Sequence, residues 1–132
     1  MSQFRFPKSE KLKDEHAIKD LFENGKKIKF YPILFLYGTI KRAPIEKKAP
    51  PTIQCAFTVS KRRFKKATDR NRIKRVMREA YRLQKHKIAE VITSAETDDQ
   101  VGLILLYIGK EIPIFSSVNK AINRFILKQP AE

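Results

Sequence analysis

"KRRFKKATDRNRIKRVMREAYR", residues 61–82, places eleven Lys and Arg in twenty-two positions, while Ile, Val, Met and Ala recur inside it at helical spacing. Set at roughly 100° per residue from Asp69 onward, Ile73, Val76, Met77, Ala80 and Leu83 fall on one arc. Arg70, Asn71, Lys74, Arg75, Arg78, Arg82 and Lys85 fall on the opposite one. One face is expected to pack and the other to present a cationic stripe. Solvated helices ordinarily interleave Glu with Lys three or four positions apart, because like charges at those spacings repel. Here Arg70, Lys74, Arg78 and Arg82 form an unbroken i, i+4 row. That arrangement suits phosphates, and Arg adds bidentate contacts and stacking on bases.

The charge is concentrated in this stretch. The chain has 29 Lys and Arg against 14 Asp and Glu, a net charge of +15. Residues 61–87 hold thirteen of the cations against Asp69 and Glu79, a net of +11, which leaves +4 for the other 105 residues. The preceding "SKRRFKK" carries Lys61, Arg62, Arg63, Lys65 and Lys66 into the helix start. Cations beside a helix N-terminus make an anion site, since free backbone N–H groups and the helix dipole add to them. Asp69 reads as a cap or first-turn residue, and Asn71 as a donor to a base edge or 2′-hydroxyl. An anionic membrane is the rival partner, but the apolar arc lacks the large aromatics and leucines that an interfacial helix needs. No membrane contact is expected.

At 132 residues, with 42% hydrophobic content and nine Phe, the chain is sized for one folded domain. Residues 1–132 are read as a single nucleic-acid-binding domain with a short tail at 1–8 and an exposed loop at 41–51, "KRAPIEKKAPP". The lone Cys55, with only His16 and His86, gives neither a disulfide framework nor a zinc set. Cys55 is expected to face inward and to be inert, and both His to be exposed on helices. No stretch reaches membrane-spanning length and the N-terminus lacks a signal-peptide core, so a reducing, cytoplasmic setting is expected.

Around the basic helix, "YPILFLYGTI" at 31–40 is a nearly continuous apolar run after Pro32 and reads as a strand covered on both faces. "TIQCAFTVS" alternates, with Ile53, Cys55, Phe57 and Val59 on one face and Gln54, Ala56, Thr58 and Ser60 on the other. Asp14 or Ser9 is placed to cap a short helix bearing Ile18, Leu21 and Phe22, with Gly25 in a left-handed position after it. "VGLILLYIG" at 101–109 reads as a strand. "SSVNKAINRFILK" reads as a helix with Val118, Ala121, Ile122, Phe125 and Ile126 on one side and Ser116 as its cap. Helix, strand, strand, helix, strand, helix implies an α+β domain with helices packed on one sheet.

"DRNRIKRVMREAYR", with "VSKRRFKKA" directly upstream, resembles the signature of the bacterial ribonuclease P protein component. "FPKSEKLKDEHAIKDLFENGKKI" is similar to the start of that family, so the resemblance covers residues 4–83. It implies a mixed, mostly antiparallel four-stranded sheet packed by three helices, with an unusual left-handed strand-helix-strand crossover. It implies that the protein binds the catalytic RNA subunit of ribonuclease P, and takes the 5′ leader of precursor tRNA in a cleft between the first helix and the sheet. The RNA-facing motif then lands on Arg70, Asn71, Arg72, Lys74, Arg75 and Arg78, joined by the residue-level candidates Lys61, Arg62, Arg63, Lys66 and Arg82. The cleft aromatic lands on Phe22. Ile18 stands where many members have a second aromatic, and Phe35 and Tyr37 are the first-strand candidates.

A protein-only metal nuclease needs convergent carboxylates. The one acidic cluster, Glu96, Asp98 and Asp99, sits in a turn before a hydrophobic strand, and no catalytic side chain is expected. The resemblance assigns the chemistry of tRNA 5′ maturation to the RNA. It gives the protein no cofactor of its own, with magnesium entering the holoenzyme through the RNA, and no protein partner. The alternative reading is a structural RNA-binding protein such as a ribosomal component, which would co-sediment with ribosomes and whose loss would leave tRNA 5′ ends correctly processed.

Overall fold

Asp14 closes the first turn of the first helix, its side chain accepting from the backbone N–H of His16 at 3.0 Å. In the computed structural model, which describes residues 11–40, 53–92 and 100–128, that helix is α1, Glu15–Asn24. β1 (Lys26–Phe30), β2 (Ile33–Ile40), β3 (Ile53–Val59), α2 (Ala67–Ile92), β4 (Gln100–Tyr107) and α3 (Phe115–Lys128) follow. The expected tail at 1–8, the loop at 41–51, Ser9 and the Glu96, Asp98, Asp99 cluster lie outside the described residues.

The strands form one sheet in the order β1-β2-β4-β3. β1–β2 and β2–β4 are antiparallel and β3–β4 is parallel, so the sheet is mixed and mostly antiparallel. A parallel pair requires the chain to return to the end from which it started, and α2 makes that return. The outer edge of β3 is met by the chain ahead of α1, where the Leu12 N–H donates to the Cys55 carbonyl at 2.9 Å.

α2 and α3 share one face of the sheet, and α1 covers part of the other. Under α2 and α3, Ile33, Phe35, Leu103 and Leu105 of the sheet meet Ile73, Met77, Ala80, Tyr81 and Ile88 of α2 and Val118, Ile122 and Phe125 of α3. Phe125 stacks on Phe35 with centroids 4.2 Å apart and meets Tyr37 edge-on at 5.6 Å. The alternation of β3 is as expected, with Ile53, Cys55, Phe57 and Val59 turned to this core and Ala56 to the α1 side.

Several local expectations are corrected. Tyr31 and Pro32 form the turn before β2 instead of belonging to it. Gly25 is extended, with φ −72° and ψ 163°, and not left-handed. What makes it glycine is close approach, since a Cβ there would lie 2.6 Å from the Leu21 carbonyl oxygen. Leu83 is exposed and Tyr81 takes its place in the core. Ser116 lies inside the first turn of α3 and does not precede it. α1 itself rests on a second glycine: Leu21 reaches down onto Gly102, where a Cβ would come within 2.8 Å of its Cδ1.

Ile73 is fully buried while Lys74 sits at the flank of α2. Ile73→Ala should therefore lower unfolding free energy by roughly 2–5 kcal/mol, and Lys74→Ala by less than about 0.5 kcal/mol. Equal shifts in denaturant midpoint would contradict the two-faced reading of α2.

Candidate nucleic-acid interface

Phe64 fixes the loop between β3 and α2. Its ring is buried against Tyr107, centroids 5.9 Å apart, and its N–H donates to the Ser60 carbonyl at 3.1 Å. The Arg62 N–H donates to Ser60 Oγ at 3.2 Å, tightening the same turn. With an aromatic anchor pulling inward, Lys61, Arg62, Lys65 and Lys66 are left exposed.

The cations of this region divide by what they touch. Arg70 turns back and donates from Nη1 to the carbonyls of Phe64 and Lys65 at 2.8 and 2.9 Å, clamping the loop onto the helix start. Arg63 donates from Nη1 to the Ile108 carbonyl, tying the loop to the end of β4. Arg82 pairs with Glu79 at 2.6 Å, and its hydrogen bond is the main reason the Glu79 carboxyl is held below its usual range. Asn71, Arg72, Arg75 and Arg78 are exposed on the outer face of α2, with Lys74, Arg82 and Lys85 half-buried at its flank. The outward cationic surface thus runs from Lys61 through Arg78, and Arg70 serves it as a brace.

The opposite face of the sheet carries a second feature. Register aligns Lys29, Leu34, Leu106 and Thr58 in one row across all four strands, and Lys27, Leu36, Ile104 and Ala56 in the next. α1 covers the Leu36 and Ile104 row, and Ile18 and Phe22 are half-buried on the same side as Leu34, Ala56 and Leu106. The outer row has an apolar centre, an exposed lysine at one end and, at the other, Thr58, whose Oγ1 is buried without a hydrogen-bond partner among the described residues.

Phe35 and Tyr37 are not in this cleft. They face the α3 core, because residues 33, 35 and 37 share one side of β2 and residues 34 and 36 the other. Leu34 is the half-buried residue of β2 that packs against the same cluster as Phe22. Lys27 and Lys29 join this side of the sheet without being among the sequence-based candidates; the signal for them is their alternation with the inward-facing Ile28 and Phe30 in "KKIKF". Lys26 lies on the other face, its ammonium 5.9 Å from the Tyr37 ring centre, and burial raises the Tyr37 hydroxyl above its ordinary pKa. Among the described residues, no three His, Cys, Asp or Glu side chains converge on a metal position, and no helix is long and apolar enough to cross a membrane.

A mixed sheet with a cationic helix on one face and a half-covered apolar row on the other defines a small basic α+β domain suited to a polyanion. Comparison with known proteins gives its family. Residues 6–101 match the family model for ribonuclease P. The chain is 32% identical over 127 residues to the ribonuclease P protein component of Porphyromonas gingivalis, covering 95% of this chain and 86% of that protein. It is 34% identical over 125 residues to the component of Chlorobium phaeobacteroides, covering 90% and 84%. Its fold matches the RNase P protein of Staphylococcus aureus with a TM-score of 0.63 at 16% identity, over 92% of this chain and 98% of that one. It matches that of Thermotoga maritima, solved with 1-(4-fluorophenyl)-2-thiourea, with a TM-score of 0.63 at 19% identity, over 89% and 98%. The chain belongs to the ribonuclease P protein family, the protein components of the endoribonuclease that processes tRNA 5′ ends.

Arg70 and Arg72 separate bracing from contact. Arg70→Ala removes two charge-assisted bonds to backbone and should cost about 1–2 kcal/mol of stability, with faster amide exchange across residues 61–66. Arg72→Ala should leave stability unchanged and lower the log–log salt slope of RNA binding by about one unit. The same stability loss in both variants would refute the division.

Proposed function

We propose that the outer face of α2 and the loop before it bind the catalytic RNA subunit of ribonuclease P, and that the cleft between α1 and the sheet takes the single-stranded 5′ leader of precursor tRNA. The protein then contributes substrate affinity and screening of phosphate repulsion, in the cytoplasm, and the RNA carries out hydrolysis. The observation that carries this reading is the sorting of charge on one helix. Its buried side is apolar, while Arg72, Arg75 and Arg78 stand outward in continuity with the exposed lysines of the loop. Such a surface gives affinity by neutralising phosphates and releasing their counterions.

The cleft supports leader binding through its mixed lining. Phe22 and Leu34 offer apolar surface to bases, Lys27 and Lys29 offer charge to the backbone, and the row between them contains few groups that distinguish one base from another. This is the chemistry of sequence-tolerant single-strand binding. In this reading the magnesium that supports catalysis is held through RNA phosphates.

Reconstitution with the partner RNA tests the proposal. The protein should accelerate cleavage of a leader-bearing precursor tRNA at low magnesium, and a precursor with several leader nucleotides should bind more tightly than one trimmed to a single nucleotide. Phe22→Ala should reduce that preference by roughly 5- to 150-fold, the equivalent of one stacked base, with partner-RNA binding kept. Cleavage indifferent to the protein would overturn the reading.

A further inference from the structure

A second concave site lies at the same end of the sheet but on its α3 side. A cavity of about 470 Å³ opens between the Tyr31–Pro32 turn, the segment after β4 and the first turns of α3, a volume within the range of small-ligand sites. Its frame is well defined. The Ile108 N–H donates to the Pro32 carbonyl at 2.8 Å, joining two of the walls. The Tyr107 hydroxyl donates to the Glu111 carbonyl and folds the segment after β4 back over its own start. That bend needs glycine at 109, where a Cβ would lie 2.6 Å from Tyr107 Cζ. Burial, the first of the causes, pushes Tyr107 up to about 12, so its hydroxyl stays a neutral donor at physiological pH.

Three side chains on this frame lack a structural task. Tyr31 is 60% exposed on a two-residue turn, its ring lining the cavity and absent from the core. Lys120 and Arg124 line the same cavity from α3, one helical turn apart, and neither forms an ion pair with a described residue. Glu111 lines it too, leaving a local excess of one positive charge. A purely apolar ligand would leave two cations facing oil, and a bare anion would make no use of the tyrosine.

We infer that this cavity binds a phosphorylated nucleotide, with the base on the Tyr31 ring, the phosphate on Lys120 and Arg124, and the Glu111 carboxylate available to a base amino group or a ribose hydroxyl. Aromatic stacking beside a cation pair is the combination that recognises a nucleotide in single-stranded form. Its source is either a stretch of RNA or a free mononucleotide. The cavity is separate from the leader cleft, which lies across the sheet, and does not depend on it. Arg63 links the basic loop to this cavity physically, since it donates to the carbonyl of Ile108, the residue that begins the cavity wall.

The test is a ¹H–¹⁵N titration of the full chain with AMP, adenosine, and a 5′-phosphorylated oligoribonucleotide. AMP should saturably shift the amides of Tyr31, Glu111, Ser117 and their neighbours, and adenosine should bind more weakly. Tyr31→Ala and the double variant Lys120→Gln, Arg124→Gln change exposed side chains and should keep the wild-type melting temperature, yet each should weaken AMP by about tenfold or more. Phe22→Ala should leave AMP binding intact while reducing leader preference, which separates this site from the cleft. If the oligoribonucleotide displaces AMP, RNA is the source; if it does not, a free nucleotide is. Shifts confined to residues 61–78, or AMP binding unchanged in both cavity variants, would overturn the inference.

Discussion

The parallel pairing of β3 with β4 is the constraint on which the rest of the molecule depends. It obliges the chain to cross back over the sheet, and α2, 26 residues long, does so by burying Ile73, Met77, Ala80, Tyr81 and Ile88. Apolar burial of that kind, about 25 cal/mol for each Å² removed from water, fixes the rotation of the helix. Once rotation is fixed, Arg72, Arg75 and Arg78 have no direction left except outward. The same crossover sets the start of α2 beside the C-terminal ends of β3 and β4, where Phe64 packs on Tyr107 and holds the basic loop. Charge placement follows from packing, which is how a helix with so many like charges can be stable.

The two faces of the sheet are consequently assigned different work. α2 and α3 bury the centre of one face, down to Phe35 stacked on Phe125. α1 is short and settles where Gly102 lets Leu21 descend, so it covers the Gly38–Gly102 and Leu36–Ile104 rows of the other face and leaves the Lys29, Leu34, Leu106 and Thr58 row partly open. The open row, the basic loop and the N-terminal half of α2 converge at one end of the domain. A polyanion on the helix and an extended strand in the cleft would therefore lie close together without competing for side chains.

Legibility followed periodicity. β3 was read correctly because its alternation is clean, and α3 because Val118, Ala121, Ile122 and Phe125 fall at helical spacing. β2 is apolar on both sides, so the sequence carried no parity by which to tell Phe35 and Tyr37 from Leu34 and Leu36; only strand pairing resolves it. β1 was missed because an edge strand with three lysines looks like a linker. On α2, Leu83 is exposed and Tyr81 is buried because the helix turns Tyr81 toward the sheet, where its ring meets Phe57 of β3 edge-on at 5.7 Å, a contact that an ideal wheel does not contain. The brace formed by Arg70 was invisible for a related reason: its partners are backbone carbonyls, which leave no trace in residue type.

The most direct test of the central claim is arginine- and lysine-selective chemical footprinting of the protein alone and in complex with the catalytic RNA. If packing sorts the charges of α2 and the outer face meets RNA, Arg72, Arg75, Arg78 and the loop lysines Lys61 and Lys65 should react readily in the free protein and become protected in the complex. Lys19, exposed on α1, should react equally in both. Protection of Lys19 with Arg72, Arg75 and Arg78 still reactive would place the RNA on the other side of the sheet and contradict the account.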